Sequence, residues 1–489
     1  MESGNSLRNW VAALLATAAT AVLVFFGNGM EPRRPLMWLA PLPVLWYALR
    51  SAAWRGAVVA FVAWMTGGLN LWSYMRGLGA HGLAWVLDFG TGALIFAAAA
   101  LLMRARARRG AVWSAWLALP AAWVTFEYVR NLLWPHGSAA CLAYSQLNFV
   151  PFLQTASLAG PWGMSFVLLL FPAGLALGIH RWGTERRQAV RLLGATMGVV
   201  GALLLFGAVR MSLRQPGPEL RVGLVASDTN GGVARPGAPT EQRFALYAQQ
   251  AEGLIARGAQ VVVMPENLGV VIDPDVARAD AIFQNVADRT GATLVVGMSH
   301  AASLALQHNE ARIYTPGAPV RAYDKEHLLP PFENMYTPGT ARVVLSGTAK
   351  AAGAAGGERW GVAICKDLDF TNPARAYGRA GVGVLFAPAW DFQVDAFWHG
   401  HIAVMRAVED GFSLVRAARG GFLTVADDRG RIVAETRSST APFATLLATV
   451  PTGHDGTLFQ LWGDWFGWAA IALLAVVLAR LVAGRPRAA

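Results

Sequence analysis

Three residues have the types and settings that acyl transfer needs: Glu266, Lys325 and Cys365. Cys365 ends the apolar, β-forming run RWGVAIC, and Asn372-Pro373 then opens a helical stretch, so the thiol is expected at a strand's end. Glu266 closes a second apolar run, QVVVMPE, and Lys325 lies in AYDKEHLLPPFE. A carboxylate, an amine and a thiol divide the work into base, charge stabiliser and nucleophile. An unperturbed thiol has a pKa of about 8.5 and is mostly protonated near neutral pH. Glu266 as base and Lys325 as neighbouring cation favour thiolate attack on an ester carbonyl, with Lys325 and the backbone N–H after Cys365 holding the oxyanion. An acyl-thioester results. The protonated carboxylate then gives its proton to the departing alcohol and later takes one from an amine that attacks the thioester. The plainer reading of Cys365 is an ordinary buried cysteine.

The elements that position these residues follow from composition. The chain has 489 residues, room for two or three domains. Its hydrophobic share is 55% and its charged share 15%, with apolar runs of membrane-spanning length, which identifies an integral membrane protein. The formal charge of +11 comes from arginines clustered beside those runs. Orientation in a bilayer explains them, and nucleic acid is excluded as a partner. Two cysteines, Cys141 and Cys365, are too few for a disulfide framework, although a single bridge remains open at this stage.

About eight transmembrane helices are expected, at 10–30, 36–49, 53–74, 83–103, 112–133, 160–179, 192–211 and 465–482. The second is short enough to be tilted or partly re-entrant. The first has no small-residue cleavage site and reads as a retained helix. With the N-terminus in the cytoplasm, Arg50, Arg55, Arg104, Arg106, Arg108, Arg109, Arg181, Arg186, Arg187, Arg191, Arg485 and Arg487 fall on that side. Only Arg33, Arg34 and Arg76 fall opposite among short-loop arginines, so the intervening soluble segment faces outside the cytoplasm. A chain this rich in alanine and arginine points to a bacterial inner membrane with a periplasmic domain. The expected domains are a seven-helix membrane domain at 1–213, a catalytic domain at 219–451, and a final helix with a cytoplasmic tail at 452–489.

The soluble segment follows the turn-like Gln215-Pro216-Gly217-Pro218 and alternates β-rich runs with helical stretches. Strands are expected in LRVGLVA, QVVVMPE, TLVVGMS, RWGVAIC, VGVLFAPA and FSLVRAA, with a late hairpin through GFLTVADDRGRIVAE. Helices are expected at 241–257, 276–290, 373–379 and 401–410. This is an α/β layered domain with helices covering sheets. The low-complexity run AAGAAGG reads as a surface loop.

Glu266, Lys325 and Cys365, in that order and on those strand ends, resemble the Glu-Lys-Cys triad of the carbon–nitrogen hydrolase (nitrilase) superfamily, whose fold is an α-β-β-α sandwich. Seven spans, such a domain and a final span resemble the bacterial apolipoprotein N-acyltransferases over essentially the whole chain. PAAWVTFEYVRNLLWPHG with AYSQ and GPWGMSF resembles that family's loop after the fifth span, through Glu127, Arg130 and Gln146. YDKEHLLPPFE resembles its lysine loop, in which Glu333 is the second glutamate. MRAVEDGFSLVRAARGG resembles its arginine-rich stretch through Arg406, Glu409, Gly411 and Arg416, and GDWFGW resembles the lead into the last span. Two features depart from the pattern. Lys366 replaces an aromatic and Asp367 a glutamate, and VGLVASDTNGGVARP lacks the glutamine, asparagine and tryptophan that follow the first strand. The resemblance implies a phospholipid acyl donor, the α-amine of a diacylglyceryl-cysteine at an apolipoprotein's N-terminus as acceptor, and no cofactor. Two other readings are a membrane-tethered amidase, in which water resolves the thioester, and an idle lipid-binding scaffold.

Each supporting residue has a bland alternative. Trp390, Phe392, Phe397 and Trp398 either form an apolar rim that admits acyl chains or pack inside the domain. Arg406 and Glu409 are further candidate substrate contacts. Glu333 either joins the site or makes a solvated pair with Lys325, and Asp367 either orients Lys325 or caps the following turn. His399 and His401 form an H-x-H pair without an evident third ligand, and no metal is expected. Glu127 and Arg130 pair within the bundle or grip a lipid headgroup, and Cys141 is structural.

Overall fold

The computed structural model describes residues 2–79, 82–83, 86–213, 218–229, 232–303, 306–347 and 358–483. The turn at 215–217, the run at 351–357, Arg485 and Arg487 lie outside them, as do residues 84–85 of one expected span and 230–231 of VGLVASDTNGGVARP. The chain divides into two compact units: 1–133 with 140–212 and 464–489, and 134–139 with 213–463.

The first unit is helical. Among the described residues five of its helices are long and apolar enough to cross a membrane: Leu7–Gly27, Ala53–Gly77, Ala156–Arg181, Arg186–Ser212 and Trp465–Ala483. Ala156–Arg181 forms the middle of the bundle, since 83% of its apolar window is buried against 17–33% for the other four. Those others carry exposed Leu14, Leu15, Leu205 and Trp468, the surface of a helix made for an apolar solvent. The stretch expected at 83–103 overlaps the helix Thr91–Arg108, which runs five residues further, and 112–133 coincides with Val112–Leu133.

The stretch at 36–49 is not one helix. It breaks into Arg34–Leu39 and Leu42–Arg50, because Pro41 and Pro43 cannot supply the N–H groups that would join them. The free carbonyls at the end of the second piece are met by Arg104, which donates to Ala48 O at 2.9 Å and Ser51 O at 2.6 Å. Glu127 is buried and accepts from Trp123 Nε1 at 2.8 Å and Leu142 N at 2.7 Å. Its other oxygen lies 3.2 Å from Cys141 Sγ, so it holds the turn after residue 139. Arg130 lies over the Phe126 ring. Both cysteines are free thiols.

The second unit contains two sheets. The strands are β1 (Glu219–Ala226), β2 (Val261–Val263), β3 (Val270–Ile272), β4 (Thr293–Ser303), β5 (Leu306–Tyr314), β6 (Arg321–Asp324), β7 (Val344–Ser346), β8 (Arg359–Val362), β9 (Val384–Trp390), β10 (Ser413–Arg419), β11 (Phe422–Ala426), β12 (Ile432–Arg437) and β13 (Ala444–Pro451). One sheet runs β13-β1-β2-β4-β5-β6, with β3 also paired to β4, and the other runs β12-β11-β10-β9-β8-β7. The middle of each is parallel, through β1–β2–β4 and β8–β9–β10.

Strand periodicity sorts the side chains into layers. Leu220, Val222 and Leu224 of β1 face inward with Val362, Phe386 and Val415 of the opposite sheet. The alternate residues face helices. Val225, Val262 and Leu294 meet Phe244 of Ala238–Ala256 and Phe283 of Val276–Thr290. Leu385 and Leu414 meet Tyr377 of Ala374–Arg379 and Ala403 of Ala396–Asp410. The unit is therefore a four-layer α-β-β-α sandwich, the fold the triad's resemblance implies.

Candidate active site

The parallel strands deliver their functional residues at one end, where α/β sheets place binding sites. Glu266 follows β2, Trp390 ends β9, and Cys365 opens a tight turn, Cys365–Asp369, just after β8. Across the sandwich, Glu266 N donates to Ala389 O at 3.3 Å. Among the described residues four non-glycines stand in left-handed backbone, and two of them are Cys365 at φ +42° and Asn267, beside Glu266, at φ +52°. Such strain persists only where surroundings enforce it, and it projects the thiol off the turn. Gly297 of β4 explains the packing behind Glu266. A Cβ there would lie 2.4 Å from Pro265 O and 2.5 Å from Glu266 Cα, so only glycine permits the approach.

Lys325, directly after β6, is buried with Glu266 and Glu333. Its Nζ donates to Glu266 Oε1 at 2.7 Å and to Glu333 Oε1 and Oε2 at 3.0 and 2.8 Å. Glu333 Oε2 also accepts from Leu329 N at 2.7 Å, which folds the lysine loop back on itself. Glu333 is thus part of the charged cluster and not a solvated surface pair. Burial works against the Lys325 ammonium, but Glu266 and Glu333 outweigh it and hold its pKa well above the usual lysine value. Glu266 is pushed up, first by burial and then by Glu333, while Lys325 opposes both.

Cys365 is partly exposed, and its Sγ donates to Trp390 O at 3.6 Å. Burial and Glu266 raise its pKa well above the ordinary thiol value, with Lys325 opposing. Burial and the nearby Glu266 charge therefore favour the protonated thiol.

Asp367 is fully buried and caps the turn. Its Oδ2 accepts from Ile364 N at 2.9 Å and Tyr323 Oη at 2.8 Å, and its Oδ1 accepts from His327 N at 2.8 Å. It reaches the lysine loop through His327, two residues past Lys325. Lys366 is also buried, and its Nζ donates to Pro135 O at 2.5 Å and Leu328 O at 2.8 Å. The ammonium ties the 134–139 segment and the lysine loop to the residue after Cys365. Lys366→Met leaves two carbonyls without this donor, at about 2–4 kcal/mol. It is expected to lower kcat for acyl transfer about tenfold, measured at saturating acceptor.

The aromatic candidates divide. Trp390 and Phe392 are 37% and 40% exposed, and Phe332, Met335 and Val394 are exposed as well. The Phe392 and Phe332 rings lie 5.6 Å apart. Phe397 instead stacks on His401, and Trp398 is buried. Arg406 and Glu409 have no exposed surface and pair with each other at 2.7 Å. Those two and Trp398 are therefore interior residues and do not line an exposed rim. Helix Ala396–Asp410 packs on the sheet through Ala403, Val404 and Ala407, and nearly all of its residues are buried.

The H-x-H pair is split. His401 Nδ1 lies 2.9 Å from Phe397 O, whereas His399 sits among Asp369, Asp391 and Asp395 at 3.6–3.8 Å. The ligand atoms of Asp391, Asp395 and His399 come within 4.8 Å of one another. Arg416, however, grips both oxygens of Asp391 at 2.9 and 2.5 Å, which makes this an ion-pair core. Burial opposes the His399 imidazolium, but Asp369 and Asp395 outweigh it and push its pKa up to about 9. Because the folded value lies above the unfolded one, His399 stabilises fully below about pH 6.5, and the gain is lost as pH rises through about 9, about 3 kcal/mol in all. Thermal unfolding of the purified protein is expected to lose this increment between those values. His399→Gln is expected to flatten that slope and to be less stable at pH 7.

Two contributors had no sequence signal of their own, Asn309 on β5 and Gly297, while Tyr323 beneath Asp367 lay in the quoted lysine loop without being singled out. At the position of the absent motif after the first strand, Asp228 accepts from Gly420 N at 2.8 Å and Ser438 Oγ at 2.9 Å.

Comparison with known proteins adds two family matches. Residues 13–174 match the apolipoprotein N-acyltransferase N-terminal domain, and residues 233–457 match carbon-nitrogen hydrolase. An apolipoprotein N-acyltransferase of Geobacter metallireducens is 27% identical, covering 96% of this chain and 95% of the relative. One of Gloeobacter violaceus is 27% identical over 92% and 91%. Among solved structures, an amidase from Nesterenkonia sp. aligns with a TM-score of 0.39 and 22% identity, over 49% of this chain and 94% of that one.

Proposed function

We infer that this chain is a member of the apolipoprotein N-acyltransferase family, an acyltransferase that moves an acyl chain from a phospholipid to the N-terminal amine of an apolipoprotein. The observation that carries the reading is the full-length kinship, with a helical unit of apolar spans joined to a carbon–nitrogen hydrolase sandwich. An amidase acting on soluble substrates has no use for the first unit.

Glu266, Lys325 and Cys365 are the catalytic residues in this reading. Glu266 takes the Cys365 proton as sulfur attacks the donor's ester carbonyl, and Lys325 with the Lys366 backbone N–H stabilises the oxyanion. The C–O bond breaks, and Glu266 returns the proton to the departing lysophospholipid hydroxyl. The α-amine of the diacylglyceryl-cysteine then attacks the thioester while Glu266 accepts its proton. The C–S bond breaks, and the thiolate recovers a proton. Glu333 keeps Lys325 in place, and Asp367 fixes the turn that carries the thiol. The exposed side chains of Phe332, Met335, Trp390, Phe392 and Val394 support entry of acyl chains and exclusion of the water that competes for the thioester.

The topology in this reading has eight spans, a cytoplasmic N-terminus and a periplasmic catalytic domain in a bacterial inner membrane. It rests on the arginine asymmetry between short loops. The functional test is transfer from a labelled phospholipid to a diacylated lipopeptide, with the same peptide acetylated at its N-terminus beside it. Label in the free-amine peptide alone is the expected result. Release of free fatty acid at the same rate with both peptides would favour a hydrolase.

A further inference from the structure

The Glu266–Lys325–Glu333 cluster holds two carboxylates and one ammonium, so one negative charge is left over in a buried place. A neutral side chain answers it. Asn309, 1% exposed on β5, donates from Nδ2 to Glu266 Oε1 at 2.6 Å and to Glu333 Oε1 at 2.7 Å. Its main-chain carbonyl accepts from Lys325 N at 2.9 Å, so one residue touches all three members of the cluster. Its Oδ1 is buried with no hydrogen-bond partner. The opposite amide orientation would set that oxygen against two carboxylates, which fixes Nδ2 as the end facing them.

We propose that Asn309 is a positioning residue for acyl transfer, whose amide bridges Glu266 and Glu333 and fixes which oxygen of Glu266 serves as the base. The contacts from Asn309 and Lys325 both fall on Glu266 Oε1. Oε2 receives neither and is the oxygen available to the thiol and to the incoming amine. Asn309 supplies donors without charge, so it steadies the carboxylate form of Glu266 and leaves the Lys325 ammonium the sole cation in direct contact with it. The other charged or titratable groups acting on or sensing Glu266 are Glu333, Cys365, Tyr336 and Arg419. None of them offers a second neutral amide.

This inference rests on the catalytic reading of Glu266. It is tested in the membrane-embedded full chain by following transfer from preformed acyl-enzyme to a diacylated lipopeptide across pH, in wild type, Asn309→Ala and Asn309→Asp. Loss of the amide raises the proton affinity of Glu266, and a third carboxylate raises it further. The acidic limb is therefore expected to move to higher pH in the order wild type, Ala, Asp. The neutral-pH rate is expected to fall about ten- to a hundredfold, with KM for the lipopeptide little changed. Limbs that coincide in folded variants, or a loss confined to KM, would overturn the proposal. Asn309→Asp keeps the side chain's shape and serves if the Ala variant does not accumulate. A wild type that forms no acyl-enzyme counts against the functional reading instead. Asn309 is then judged from the pH dependence of Cys365 alkylation by iodoacetamide, where a profile identical in wild type and variant overturns it and a displaced one supports it.

Discussion

Cys365→Ala is expected to abolish acyl-adduct formation and to lower transfer by at least about 10⁴-fold, while the protein stays folded and still takes up phospholipid. Alanine meets the same strain at φ +42° as cysteine does, so the turn has no new reason to rearrange. The sulfur atom packs against the inter-sheet core but is partly exposed, so little buried area is lost. Stability within about 1 kcal/mol of wild type is the expected companion result, read by thermal unfolding. Loss of the adduct together with loss of folding would mean that the thiol is structural.

Lys325→Met carries the second large effect, and it falls on stability as well as rate. Glu266 and Glu333 meet through the Lys325 ammonium in a place where all three side chains are at most 9% exposed. Without that charge two buried carboxylates face each other, with Asn309 and Leu329 N as their donors. Breaking a buried ion pair in this way costs about 3–5 kcal/mol. The carboxylates then hold protons more tightly folded than unfolded. The deficit is therefore smallest near the pH at which free glutamate protonates, about 4.3, and grows as pH rises. Activity is expected to fall about 10³-fold with the oxyanion's cation gone. Unfolding curves of wild type and variant across that pH range check the first claim, and adduct formation checks the second. Lys325→Arg is not expected to rescue, since a planar guanidinium does not fit the three short contacts that one Nζ makes.

The residues most readable in the sequence were those where a strand's apolar run ends on a reactive side chain. RWGVAIC and QVVVMPE announce Cys365 and Glu266 because a short continuous apolar run fixes the buried strand, and its end fixes where the polar group emerges. Asn309 was not readable for the opposite reason. Its strand, Leu306–Tyr314, buries asparagine and glutamate and shows no clean apolar alternation, since its polar residues answer charges from other strands. Asp367 was readable as a turn cap from its position, whereas its bond to Tyr323 depends on packing between distant segments. Arg406 and Glu409 were singled out through the resemblance of MRAVEDGFSLVRAARGG, which carries no information on their burial. Here the helix is enclosed, and the two charges satisfy each other. The break within 36–49 was marked by Pro41 and Pro43, and the apolar run around them masked it. Gly297 left no trace, because close approach of two backbones is a property of the folded pair.

The most direct test of the central claim follows one acyl group through the protein. Purified protein is incubated with phospholipid, the adduct is located by mass analysis of peptides, and a diacylated lipopeptide with a free N-terminus is then added. The account predicts one acyl chain on Cys365 that disappears as the peptide gains it in equal amount. An adduct that decays to free fatty acid at the same rate with or without peptide, or that maps to a residue other than Cys365, would contradict it.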